Sequence, residues 1–95
     1  MIKRSPLGCD EVKVTFAVPA TVGRVSVVGD FNGWSPEVTP LRSRSNGTRS
    51  AAVVLPVGRT FRFRYLAEGG WFFDDDACDA HEPNGYGETH SLIAT

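Results

Sequence analysis

The chain has 95 residues, ten of them Lys or Arg and eleven Asp or Glu, for a formal net charge of −1. That length holds one small domain with one core, and leaves no room for a deep catalytic cleft besides. The near-neutral balance gives no bulk attraction to nucleic acid or to an anionic membrane surface, and no apolar run approaches the ~20 residues of a membrane-spanning helix.

Met1-Ile2-Lys3-Arg4 opens with charge, and no apolar stretch follows it. No secretory signal is expected, and the cytoplasm is the default location. Residues 1–10 show no alternation and are expected to be loosely ordered. Val12, Val14, Phe16 and Val18 then alternate with Lys13, Thr15 and Ala17. A period of two predicts a half-buried strand, which Pro19 ends. Val25 and Val27 begin a second strand, with Gly29 and Phe31 on the same parity. Asn32-Gly33 is a turn dipeptide, because both residues accept positive φ. Ser35-Pro36 and Thr39-Pro40 punctuate an irregular connection.

Residues 41–45 suit a short strand. Asn46-Gly47 turns the chain into a further strand over 50–55, which Pro56, Val57 and Gly58 break. Asn46-Gly47-Thr48 also matches a glycosylation sequon, but without secretion it reads as a turn. The clearest strand is 60–68, with Phe61, Phe63, Tyr65 and Ala67 on the core face and Arg62, Arg64, Leu66 and Glu68 on the other. Gly69-Gly70 turns it back through Trp71, Phe72 and Phe73. A polar loop over 75–87 and a closing strand over 89–94 complete the chain. About seven strands without any helical period predict an all-β sandwich, since each one-faced sheet must cover its apolar side with another. The whole of 1–95 reads as a single domain.

The Gly69-Gly70 hairpin bears on which aromatics face out. Directly opposed residues share a face. A two-residue turn sets Glu68 against Trp71, Ala67 against Phe72 and Leu66 against Phe73. Trp71 and Phe73 then join the charged Arg62 and Arg64 face, and Phe72 joins the core. A three-residue turn would swap every assignment. Trp34 has two arrangements open to it: a plug at the end of the sandwich, or a platform left outside while Phe31 anchors the turn. The parity of Val25, Val27 and Phe31 does not fix it.

Several chemistries lack their residues. His81-Glu82 has no second histidine at zinc-helix spacing. No nucleophile elbow is present. Asp74, Asp75, Asp76 and Asp79 crowd one loop, but they lack the glycine and distal glutamate of a calcium loop. A glycosidase needs two carboxylates at a fixed separation across a cleft, which so small a sandwich does not offer. No catalytic residue, metal site or cofactor is therefore expected. The Asp cluster and the Arg42, Arg44 and Arg49 cluster both read as solvated loops. Cys9 and Cys78 are expected as reduced thiols in a cytosolic setting.

Val27-Val28-Gly29-Asp30-Phe31-Asn32-Gly33-Trp34, the later 61–66 run, Gly69-Gly70-Trp71, Asp76 and Asn84-Gly85-Tyr86-Gly87 together resemble family-48 carbohydrate-binding modules. These are early-set, immunoglobulin-like β-sandwich domains at the N-terminus of isoamylases and glycogen-branching enzymes. The glycogen-binding domain of the AMP-activated kinase β subunit is similar. The likeness runs from about Val12 to Thr95, and the Phe-Asn-Gly-Trp turn is its most specific part.

The resemblance implies a binding module for α-1,4-linked glucan such as glycogen, starch or maltodextrin. Trp34 and Trp71 would be the stacking platforms, because a sugar ring has one apolar face and a polar rim. Arg64 falls where such modules carry a basic residue that hydrogen-bonds glucose hydroxyls. Tyr86 occupies an apolar contact position in the last loop. His90 stands where an asparagine commonly reaches the sugar, and Glu88 replaces a small hydroxyl residue. Starting at Met1 and stopping after the last strand, the chain is expected to be a free-standing module. The alternative is a regulatory or interaction domain that docks on a glucan-metabolising enzyme, for which an exposed Trp71 with Phe73 would serve equally well.

Overall fold

The computed structural model describes residues 2–73, 75, 80–83 and 89–95, with the side chains of all but Val22, Pro83, Thr89 and His90. Nine strands and one turn of 3-10 helix lie among them: β1 (Ile2–Pro6), β2 (Glu11–Pro19), the helical turn Ala20–Val22, β3 (Val25–Gly29), β4 (Arg42–Ser43), β5 (Thr48–Pro56), β6 (Thr60–Ala67), β7 (Phe72–Phe73), β8 (Ala80–Pro83) and β9 (Thr89–Ala94). One sheet runs β1-β2-β5-β4. The other runs β3-β6-β9-β8, with β7 also paired to β6. All the pairings are antiparallel. The result is an all-β, immunoglobulin-like sandwich.

The alternation of the sequence sets which side of each sheet is dry. Val12, Val14, Phe16 and Val18 of β2 meet Val25 and Val27 of β3, Phe63 and Tyr65 of β6, and Ile93 of β9 in one core. Leu41 and Leu55 close it. Phe16 lies at its centre, with ring centroids 5.0 Å from Phe63 and 6.5 Å, edge-on, from Tyr65. Aromatic pairs favour such tilted and edge geometries because the ring edge is positive and the face negative. No helix among the described residues is long and apolar enough to cross a membrane.

Two strands lie where the sequence offers no alternation. Residues 2–6, expected to be loosely ordered, form β1 along β2. Only Ile2 of that strand is partly buried and packs on the core; the rest is exposed, so no dry face marks it. β8 falls inside the expected 75–87 loop and pairs with β9. The Asn46-Gly47 turn is found as expected: the Asn46 Oδ1 accepts from the Thr48 hydroxyl at 2.6 Å and from its N–H at 3.3 Å. Cys9 is an exposed free thiol.

Asp75 is not a solvated loop residue. It is 5% exposed, and its Oδ2 accepts from the Tyr65 hydroxyl at 2.5 Å. Its N–H donates to the Ser91 Oγ. A buried polar pair of this kind stays buried because each group satisfies the other.

Candidate functional site

β3 runs directly into the turn that ends at Trp34. Gly29 is a point of close strand contact. A Cβ there would lie 2.4 Å from the Arg62 carbonyl oxygen and 2.9 Å from the Phe63 Cβ, so the turn can begin only at a glycine. Phe31 faces inward, stacked on Phe16 at 5.6 Å and edge-on to Phe61 at 6.2 Å. Asn32 staples the loop from within. Its Oδ1 accepts from the Gly29 N–H at 3.0 Å, and its Nδ2 donates to the Val27 carbonyl at 2.9 Å and to the Thr39 Oγ1 at 3.0 Å.

The turn delivers Trp34 in an unusual state. Its φ is 60°, the one positive φ outside glycine among the described residues. A left-handed backbone costs a residue with a Cβ about 1–2 kcal/mol. Three contacts hold it there. The Trp34 N–H donates to the Gly29 carbonyl at 3.0 Å. Its indole Nε1 donates to the Asp30 Oδ1 at 3.1 Å. The Asp30 Oδ2 in turn accepts from the Arg62 N–H at 2.9 Å, which ties the indole to β6. The residue keeps 38% of its surface exposed, so it is not a buried plug. Strain maintained by a surrounding network at an exposed aromatic marks a positioned group.

Trp71 is the more exposed indole, at 52%. The hairpin that carries it has three loop residues, not two. Tyr65 stands opposite Phe73 and Leu66 opposite Phe72, while the Ala67 N–H donates to the Trp71 carbonyl. The two-residue expectation is therefore overturned, and each side chain changes face. Phe73 turns inward, with its ring 5.1 Å from Tyr65. Trp71 follows the same parity past the end of the pairing, its ring 5.0 Å from Phe73. Phe72, expected in the core, is 46% exposed on the outer face.

Arg64 is on that outer face. Its guanidinium carbon lies 5.2 Å from the centre of the Phe72 ring, a cation–π contact. Val28 pairs with Arg64 and is only 1% exposed, so the outer face of β3 and β6 has its own apolar patch beside Leu66 and Phe72. Arg64 and Trp71 consequently leave β6 and its hairpin on opposite parity, and do not share a face as the shorter turn implied. Arg62, two residues earlier, is engaged elsewhere: Nε to the Glu82 Oε1 at 2.7 Å, and Nη1 to Asp30 at 3.9 Å. The Glu82 hydrogen bond and charge, then the Asp30 charge, hold its pKa above the ordinary guanidinium value.

Tyr86 and Glu88 lie outside the described residues. His90 sits in β9 opposite Glu82, with its side chain outside the description. Sequence reading missed the part played by Asp30 and put Phe72 and Phe73 on the wrong faces. Asp30 could have been found, since it stands four residues before Trp34 at a turn. The other two depended on the hairpin's length. Among the described residues, no group of three or more His, Cys, Asp or Glu side chains could hold a metal ion.

Fold and site together define an immunoglobulin-like sandwich that offers two exposed, separately anchored tryptophans. No family model matches the chain. It is 44% identical over 77 residues to the 1,4-alpha-glucan branching enzyme GlgB 2 of Xanthomonas campestris pv. campestris, in each of two strains. The match covers 70% of this chain and 10% of the relative, so the chain is a weak homologue of a small stretch of that enzyme.

Proposed function

We propose that this domain is a non-catalytic, cytoplasmic binding module for α-1,4-linked glucan. Trp34 and Trp71 stack on glucose rings, and Arg64, on the outer face of the same hairpin, donates to a hydroxyl of a ring beyond the Trp71 stack. The observation that carries the reading is that both indoles are solvent-exposed yet firmly held, one by Asp30 and one by Phe73. A preset aromatic platform loses little conformational entropy when a ligand lands on it. The relationship to a branching enzyme, whose name specifies 1,4-alpha-glucan, supports the ligand class.

Each stack supplies roughly 1–3 kcal/mol by analogy with base stacking. Two stacks with a few solvent-competed hydrogen bonds, less the ordering cost, give an affinity between micromolar and millimolar. Titration with maltoheptaose or β-cyclodextrin should quench tryptophan fluorescence in that range. Trp71→Ala should abolish the quench and leave thermal unfolding in place. Silence of the parent protein in both titrations up to millimolar ligand overturns the proposal. Arg64→Gln should weaken binding several-fold; unchanged affinity removes Arg64 from the site without touching the tryptophans.

A further inference from the structure

Arg42 and Arg44 are exposed, as a solvated loop would have them, but Arg49 is partly buried. Arg44 folds onto its own hairpin, with Nε to the Ser50 Oγ at 2.8 Å. Arg42 and Arg49 join Arg24, from the far sheet, in lining one cavity of about 590 Å³. Ser26, Ser43 and Glu68 also line it. The cavity lies where the edge of β3 bridges the segment leading into β4, through Ser26 and Pro40.

Arg49 is the unusual member. It pairs with Val18, and so shares the parity of Ala51, Val53 and Leu55, which is the inner face of its sheet. A guanidinium at an inward position needs acceptors, because an arginine cannot shed its charge. Its Nε is buried, and no hydrogen-bond partner for it is present among the described residues. No ion pair engages Arg24, Arg42 or Arg49 among those residues either. Three guanidiniums against the single Glu68 carboxylate leave a net positive cavity in a chain whose overall charge is −1. A buried donor without a partner is rare, and a bound ion is one way to satisfy it.

We infer that the cavity lined by Arg24, Arg42 and Arg49, whose lining includes neither tryptophan, is an anion site that takes a phosphate monoester or free phosphate. Guanidinium forks match the oxygen spacing of a phosphate, and each charge-assisted bond is roughly twice as strong as a neutral one. Arg49 lines the cavity with a guanidinium whose Nε has no partner among the described residues, whereas Arg24, just before β3, and Arg42, in β4, are exposed and close on the ligand. The two serines offer hydroxyls to remaining oxygens. The inference does not depend on glucan binding.

The test is a titration of the intact protein with inorganic phosphate and with glucose 6-phosphate, against sodium chloride at matched ionic strength, read by amide chemical shifts and by melting temperature. Both phosphates should shift amides of 24–26, 42–43 and 49 with millimolar dissociation constants, and chloride should not. Arg49→Gln and, on a different strand, Arg24→Gln should each weaken phosphate at least tenfold and leave maltoheptaose quenching unchanged. A tighter constant for glucose 6-phosphate assigns the site to a sugar phosphate; equal constants assign it to free phosphate. Equal shifts from chloride, or phosphate binding that survives in both variants, overturns the inference.

Discussion

At the Gly29–Trp34 turn the indole is fixed by polar contacts, and at the 67–73 hairpin it is fixed by rings. Trp34 depends on Asp30, Asn32 and backbone hydrogen bonds, in a left-handed conformation that its own side chain disfavours. Trp71 ends a ladder of aromatics that starts in the core: Phe16, Phe63, Tyr65, Phe73. A polar clamp fixes direction, because hydrogen bonds fail steeply with angle. A ring ladder fixes position more loosely, because stacking energy varies slowly with tilt. The pair therefore comprises one strictly aimed indole and one whose tilt is less tightly set.

The strongest way to break the polar half is Gly29→Ala. The new methyl must displace the Arg62 carbonyl and the Phe63 side chain, both parts of β6. Overpacking against backbone of this kind costs about 3 kcal/mol. For a domain of this size that lowers the melting temperature by roughly 12–24 °C, checked by thermal unfolding. Asn32→Ala comes next. It leaves the Gly29 N–H and the Val27 carbonyl without their side-chain partner, at a cost of about 2–3 kcal/mol. Trp34 emission should also shift to the red as the turn loosens.

The ring half is broken by Phe73→Ala. Phe73 is only half-buried, so the loss is about 2 kcal/mol, below the range for a fully buried phenylalanine. Its more informative effect is on Trp71, whose fluorescence anisotropy should fall as the indole gains freedom. Unchanged anisotropy would show that the ladder does not hold Trp71.

How much of this could be read from the residues differs between the two halves. The turn was legible, because Asn32-Gly33 announces it and the parity of Val25, Val27 and Phe31 assigns the anchor. The orientation of Trp34 was not, since the two left-handed residues are Gly33 and Trp34 itself, one step later than the Asn32-Gly33 pair expected. The hairpin was misread for a definite reason. Gly69 and Gly70 both have positive φ, at 97° and 88°. A two-residue turn of the primed type asks for the same pair of signs, so the glycines fit either length. Arg49 shows the opposite failure. The alternation of Leu55, Val53 and Ala51 extends to it and places it inward, but its charge argued for solvent. β1 and β8 were invisible because neither buries a continuous face.

The smallest effect isolates the strain at residue 34. Trp34→Ala and Trp34→Gly both delete the indole, its bond to Asp30 and the platform, so both should lose maltoheptaose quenching alike. They differ only in backbone preference. Alanine keeps a Cβ that a φ of 60° disfavours, whereas glycine accepts that region freely. Glycine also gains more freedom when unfolded, which offsets about 0.4–1 kcal/mol. The net expectation is that the glycine variant is the more stable by about 0.5–1 kcal/mol, a melting temperature higher by roughly 2–8 °C. An alanine variant of equal or greater stability would mean that the left-handed backbone is relaxed once the indole is gone. The strain would then belong to the tryptophan's own contacts and not to the turn that Asn32 closes.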